Sequence, residues 1–375
     1  MVLSLHPSAE GVLPGHMLDR AIRAGYIEAG RFKIPEGNVQ PASLDLRLGE
    51  RALRIRCSFL PGADTVERKL KDYVLDEIDL RGPGAMLEAR CPYLIELKER
   101  LDLPAGLRGK ANPKSSTGRI DVFTRVITDH SERFDEVAAG YQGPLYLEVV
   151  PLSFAVRVKE DLTLNQLRLS IGRPWLSDEQ IREAHAIEPI LFRGDKAVPV
   201  EDLVLSDGLF LGLDLTGDAE GRVGHSTRDS APLLDLTAGP TEPGPFWDPV
   251  YREDGDRIVL SPKRFYLLMS DEAVSIPPYL AAEMTAYDPT SGELRTHYAG
   301  FFDPGFGSGR DGSIKGTVGV LEVRPHENII IYDGQPICLI EFYRNTSVPD
   351  VAYGDAGNNY QTQKGPKLAK FFEEP

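Results

Sequence analysis

The chain repeats itself, and that repetition limits its fold more than any other feature. LPAGLRGKANPKSSTGR (103–119) aligns without gaps on IPPYLAAEMTAYDPTSG (276–292), an offset of 173 residues, and YLIEL (93–97) matches YLLMS (266–270) at the same offset. SLDLRLG (43–49) resembles LGLDLTG (211–217), and AGYQGPLYLEV (139–149) resembles GSIKGTVGVLEV (312–323), in the same order. Four ordered matches at so long a period mean two duplicated domains, because solenoid repeats run about 20–50 residues. A length of 375 residues gives each copy enough chain to bury its own core. The expected division is 1–180 and 181–375, with the linker near 172–200, where ILFR and VPVEDLVL blur the boundary.

Within each copy the pattern is that of strands. SLDLRLGERALRIRC, AMLEARCPYLIELK, GPLYLEVVPL and FAVRVK alternate or run apolar over five to eight residues, between turns supplied by 36 Gly and 29 Pro. Helical spacing is confined to HMLDRAIRAGYI, where Met17, Leu18, Ile22 and Tyr26 share a face before Gly30, and to SDEQIREAH, where Ser177 stands as N-cap with Gln180 three residues on. Two β-rich domains of this size predict barrels or sandwiches with closed or covered edges. The last stretch, 347–364, is rich in Asn, Gly, Gln and Tyr and reads as a mobile tail.

Charge and cysteine usage narrow the function. A formal net charge of −15 argues against a surface that coats a nucleic acid polymer, which needs a broad basic field. It leaves room for a small anionic ligand held by a local cluster of cations and N–H groups. No run of 18 apolar residues predicts a membrane span, and the first residues do not read as a secretory signal. Cys57, Cys91 and Cys338 lie far apart, as expected for reduced thiols in the cytoplasm and not for a disulfide framework or a zinc knuckle.

Three segments carry chemistry. Lys114-Ser115-Ser116-Thr117-Gly118-Arg119 offers two cations and three hydroxyls in six residues, either a phosphate-holding loop or a solvated turn, and it lacks Walker spacing. Glu148 and Glu322 sit in apolar strands, LYLEVV and GVLEVR. Such a carboxylate lies either on a wet strand face or in a pocket whose dryness raises a carboxyl pKa. FFDPGFG (301–307) is a turn in which Pro fixes φ and Gly takes positive φ, leaving Asp303 to cap the turn or to meet a sugar hydroxyl. His130-Ser131-Glu132 supplies half of the zinc deaminase H-x-E…P-C-x-x-C pattern, but no Cys pair exists, so zinc is not expected. HExxH spacing is absent as well, and no G-x-S-x-G elbow or G-x-G-x-x-G dinucleotide loop is read as following a strand.

Together these segments resemble the metal-independent dCTP deaminases, which share a fold with trimeric dUTPases. QPASLDLRLG (40–49) is similar to that family's first-strand motif, KSSTGR to its S-S-x-x-R loop, and LYLEV to the strand of its catalytic glutamate. HYAGFFDPGFG (297–307) is similar to its D-P-G hairpin, ICLIEFYRN (337–345) to a later strand, and NNYQTQKGP (358–366) to its C-terminal lid. The resemblance implies a mainly β fold of two tandem dUTPase-like β-barrel (distorted jelly-roll) domains with few short helices. It implies deamination of dCTP to dUTP and ammonia, feeding thymidylate synthesis. Alternatives are a dUTP pyrophosphatase or bifunctional enzyme, and a nucleotide-binding regulator without turnover.

By the same resemblance Ser115 and Arg119 orient the attacking water and the base carbonyl, with Lys114 and Ser116 near the triphosphate. Glu148, by the direct match, or Glu322 acts as general base and then acid. Asp303, or Asp135 in the first half, faces the deoxyribose, and Tyr353, Tyr360 and Gln363 belong to the lid. Magnesium rides on the triphosphate and not on a protein cage. Asp288 and Gly292 stand where the first copy has Ser115 and Arg119, so the second loop cannot do the same work. ERFDEVAAGYQG (132–143) replaces the compact D-P-G turn in the first copy. The family's trimers imply a homo-oligomer.

Overall fold

Leu44, Leu46 and Leu48 alternate along the strand Leu44–Ile55 and are all fully buried, so its LDLRL pattern points one face into a core. A computed structural model describes residues 10–285, 294–296, 300–308, 314–355, 360–363 and 365–373. The chain divides into two compact units. The first comprises Met1–Pro174 with Pro232–Gly239 and Asn345–Asp350; the second comprises Trp175–Ala231, Pro240–Arg344 and Val351–Pro375.

In the first unit the main sheet runs in the order Val122–Thr128, Gln142–Pro151, Tyr93–Asp102, Leu44–Ile55, Thr163–Ile171, Leu107–Pro113, Glu136–Val137. Asp135 joins its two ends. Its N–H donates to the Val126 carbonyl (2.9 Å), its carboxylate accepts from the Val126 N–H (2.8 Å), and its carbonyl accepts from the Ala111 N–H (2.8 Å). The sheet thereby closes nearly into a barrel. Asp135 does this at φ 62°, a conformation that Asp tolerates better than most side chains. Ile95, Leu147, Leu167 and Leu169 are fully buried, each such side chain stabilising the fold by about 1.5–3 kcal/mol. A smaller sheet orders Leu234–Asp235, Val156–Val158 and Ala85–Leu87.

The second unit is built from the same pairs. Tyr266–Val274 pairs with Thr317–Pro325, Leu280–Thr285 with Pro336–Arg344, and Arg257–Leu260 with Ile329–Tyr332. Their registers copy the first unit. Tyr266 faces Val323 as Tyr93 faces Val149; Leu280 faces Arg344 as Leu107 faces Ile171; Ile329 faces Leu260 as Val156 faces Leu87. Since a one-residue slip would turn every side chain to the other face, this agreement shows duplication at the level of the hydrogen-bonded ladder.

One sequence match shifts. Leu44, Asp45 and Leu46 face Leu167, Gln166 and Asn165, whereas their places opposite Ile340, Leu339 and Cys338 are taken by Leu209, Phe210 and Leu211. The LDL triplet at 213–215 therefore falls beyond the equivalent strand. Register irregularities after Leu211 and before Asn165 explain the displaced likeness.

Helices are few among the described residues. Gly15–Arg23 buries Leu18 and Ala21 and ends before Gly25, φ 79°, five residues short of the expected Gly30. Asp178–Ile187 opens with the expected capping box: Ser177 Oγ accepts from the Gln180 N–H, and Gln180 Oε1 accepts from the Ser177 N–H. A Cβ on Gly307, at φ 65°, would meet the Val274 carbonyl oxygen at 2.0 Å. Gly307→Ala is expected to lower stability by more than about 1–2 kcal/mol, the left-handed cost alone, read as a lower urea midpoint.

Candidate active site

The KSSTGR segment is not a solvated turn. Ser115–Gly118 forms one helical turn with Lys114 as N-cap, and Ser116, Thr117, Gly118 and Arg119 are buried. Lys114 Nζ pairs with the Asp45 carboxylate and donates to Thr163 Oγ1 at 3.2 Å. Asp45 comes from the Leu44–Ile55 strand, and Thr163 from its antiparallel neighbour, so two strands hold the lysine head. The turn passes through Asp121, φ 56°, directly into the strand Val122–Thr128.

That strand pairs with Gln142–Pro151, placing Arg125 opposite Glu148. Glu148 is fully buried. Its Oε1 accepts from Arg125 Nη2 at 2.6 Å, while Oε2 has no hydrogen-bond partner among the described residues. Glu99, in the neighbouring strand Tyr93–Asp102, is a useful contrast, being equally buried but satisfied at both oxygens. Oε1 of Glu99 accepts from Arg47 Nε (2.6 Å) and Oε2 from the Arg47 N–H (2.7 Å). A buried carboxylate with one committed and one open oxygen has an acceptor left for a ligand or water; one with both committed is a structural brace.

The two aspartates expected to face a sugar are not equivalent. Phe302 faces Ala282 as Val137 faces Gly109, so the register sets Asp303 against Ala138 and not against Asp135. The turns agree: the Phe306 N–H donates to the Asp303 carbonyl as the Tyr141 N–H does to that of Ala138, and Gly305 and Gly140 both hold positive φ. Asp135 instead closes the barrel seam, its carboxylate taking the Val126 N–H. The likeness misled because the two aspartates lie near the same turn in sequence, while strand pairing counts from the ladder.

In the second unit Glu322 is buried and faces Leu267, as Glu148 faces Leu94. Thr296 faces Val323, and the following residue lies outside the described residues, as do Asp288 and Gly292. The tail is packed where it is described. Tyr360 and Gln363 are buried, Gln363 Nε2 donates to the Val318 carbonyl (2.6 Å), and Tyr353 stacks edge-on against Phe306 with centroids 5.3 Å apart. Gln361, which sequence reasoning passed over, bridges the D-P-G turn to the tail: its Oε1 accepts from the Gly307 N–H, and its Nε2 donates to the carbonyls of Gly305 and Tyr353. The expected mobile tail is thus fastened, because amide groups satisfy the turn's backbone and Tyr360 joins the apolar core. Asp45 and Arg125 were also passed over; each is a charge inside an apolar strand, the signal that drew attention to Glu148.

Duplicated ladders, one of whose sheets nearly closes into a barrel, make this a mainly β protein of two tandem copies, and its first copy carries a buried half-open carboxylate and a cation-bearing hydroxyl turn. Family models match both halves, the N-terminal domain of 2'-deoxycytidine 5'-triphosphate deaminase over residues 9–173 and its C-terminal domain over 177–372. The chain belongs to the 2'-deoxycytidine 5'-triphosphate deaminase family. Its structure is similar to the crystal structure of 2'-deoxycytidine 5'-triphosphate deaminase from Agrobacterium tumefaciens, with TM-score 0.83 and 39% identity over 90% of this chain and 99% of that one. It is 31% identical over 149 residues to a dCTP deaminase of Natronomonas pharaonis, covering 38% of this chain and 73% of that protein. A Dictyoglomus turgidum protein described as "dCTP deaminase, dUMP-forming" is 32% identical over 121 residues, 32% of this chain and 59% of that protein. No described helix is long and apolar enough to cross a membrane.

Proposed function

We propose that this chain deaminates dCTP hydrolytically, releasing dUTP and ammonia, with Glu148 as the group that moves the protons. The observation that carries this reading is the buried Glu148 carboxylate, anchored through Oε1 and open at Oε2. Oε2 takes a proton from water as its oxygen bonds to C4 of cytosine. The same proton then goes to the exocyclic nitrogen, the C4–N bond breaks and ammonia leaves, and the proton of the new C4 hydroxyl ends on N3 as the uracil carbonyl forms. Ser115 and Arg119 orient the water and the base carbonyl, and Lys114 and Ser116 lie towards the triphosphate, whose magnesium arrives with the substrate. For the second unit by itself, Asp303 is the proposed contact to a deoxyribose, and Tyr353, Tyr360 and Gln363 are the proposed lid residues.

Zinc has no part in this scheme. Cys57 is exposed, Cys91 is half-buried, and burial pushes the Cys338 thiol up to about 12, far from a ready thiolate ligand. The substrate is a free nucleotide and not a polymer, and the chain works as a cytoplasmic homo-oligomer.

The test is incubation of the purified chain with dCTP and magnesium, measuring ammonia and separating dUTP from dUMP. Stoichiometric ammonia and dUTP are expected, unchanged after zinc-selective chelation. Ammonia with dUMP and pyrophosphate would establish the bifunctional reading, which the dUMP-forming relative favours. Nucleotide binding with no ammonia would leave a regulator and defeat the proposal.

A further inference from the structure

Arg125 is held more firmly than an ion pair with Glu148 requires. Its Nη2 donates to Glu148 Oε1 and to Ser58 Oγ, both at 2.6 Å. The guanidinium carbon lies 3.7 Å from the Phe134 ring centroid and 4.7 Å from that of Phe123. Two aromatic faces therefore flank a planar cation while a hydroxyl fixes one nitrogen, an arrangement that suits guanidinium and not a lysine ammonium. Its side chain is 22% exposed and that of Glu148 1%, so the bond is made at the rim of a dry carboxylate.

We propose that Arg125 is a positioning residue for the deamination: it immobilises Oε1 of Glu148 and so aims Oε2 at the reacting water. This rests on the reading of Glu148 as the acid–base group. An unheld carboxylate can rotate about its terminal torsion, which has broad wells, and each rotation moves the reacting oxygen. A misplacement of about 1 Å can cost about a hundred-fold in rate, which sets the scale of the effect. Arg125 touches neither base nor sugar in this assignment, so it acts on turnover and not on substrate affinity.

Arg125→Ala is expected to lower kcat for dCTP about a hundred-fold with KM unchanged. Arg125→Lys should recover part of the loss by keeping a cation. Low-millimolar guanidinium chloride, below denaturing concentrations, should raise kcat of Arg125→Ala, whereas urea, its neutral isostere, should not. That rescue separates aiming by a cation from a merely structural role. Should Arg125→Ala fail to fold by circular dichroism, Arg125→Gln and Arg125→Lys carry the comparison, the glutamine falling below the lysine if the proposal holds. Full kcat in Arg125→Ala or Arg125→Gln, or a rise in KM alone, overturns the inference. Glu148→Gln in the same assay keeps the two readings apart. Wild-type turnover in Glu148→Gln sinks the acid–base assignment, whereas inactive Glu148→Gln beside fully active Arg125→Ala sinks only the role given to Arg125.

Discussion

Glu148→Gln is expected to reduce dCTP deamination by about 10²–10⁴-fold, the range for loss of a positioned acid–base group. Glu322→Gln should leave the rate close to wild type. Both glutamates occupy the same place in equivalent ladders, facing Leu94 and Leu267, so burial and pairing alone do not separate them. What separates them is their company. The first copy has Lys114, Ser115, Ser116 and Arg119 on the turn leading into the strand beside Glu148, and Arg125 on Glu148 itself. The second copy has Asp288 and Gly292 at the positions of Ser115 and Arg119, so it lacks the hydroxyl and the cation there. Glutamine keeps the volume of glutamate and a hydrogen-bonding oxygen, so circular dichroism should change little, while a lower urea midpoint records the lost charge pair with Arg125. Loss of turnover in Glu322→Gln with full activity in Glu148→Gln would reverse the assignment.

The ladder was legible in the sequence because strand pairing is set by apolar alternation, which duplication preserved: the 173-residue offset of the 103–119 match also relates Leu107 to Leu280 and their partners Ile171 to Arg344. Detail was lost where hydrogen bonding, and not polarity, decides. Asp135 looked like a ligand-facing acid near a turn, but its backbone and carboxylate close the barrel onto Val126. No composition signal marks that use. The tail looked mobile because it is polar, yet Gln361 spends its amide on the backbone of the D-P-G turn. KSSTGR looked solvated because it is hydrophilic, yet it is a buried helical turn whose lysine has its counter-ion 69 residues away at Asp45. In each case the partner of a polar group is distant in sequence, and periodicity carries no information about it.

Glu99 shows the same limit and yields the largest expected effect on stability. It is as buried as Glu148, and Arg47, 6% exposed at its side chain, fills both its oxygens. Arg47→Met should destabilise the chain by about 3–5 kcal/mol at pH 8, because it strands a buried carboxylate. The double variant Arg47→Met with Glu99→Leu should recover only part of that, since it removes the stranded charge but leaves the backbone N–H of position 47 without its acceptor. The pH dependence identifies the cause. Burial, the largest influence, raises the pKa of Glu99 above the ordinary value, against the downward pull of its bonds with Arg47. A carboxyl raised in the fold favours the folded state at acid pH, and that contribution is lost as pH rises through the folded value. Without Arg47 the downward pull of its side chain is gone, so the folded value climbs further and the loss deepens towards alkaline pH. Urea midpoints at pH 6 and pH 8 should therefore show a smaller deficit for Arg47→Met at the lower pH. Equal deficits would place the cost in the lost packing of the arginine stem, and not in the stranded charge.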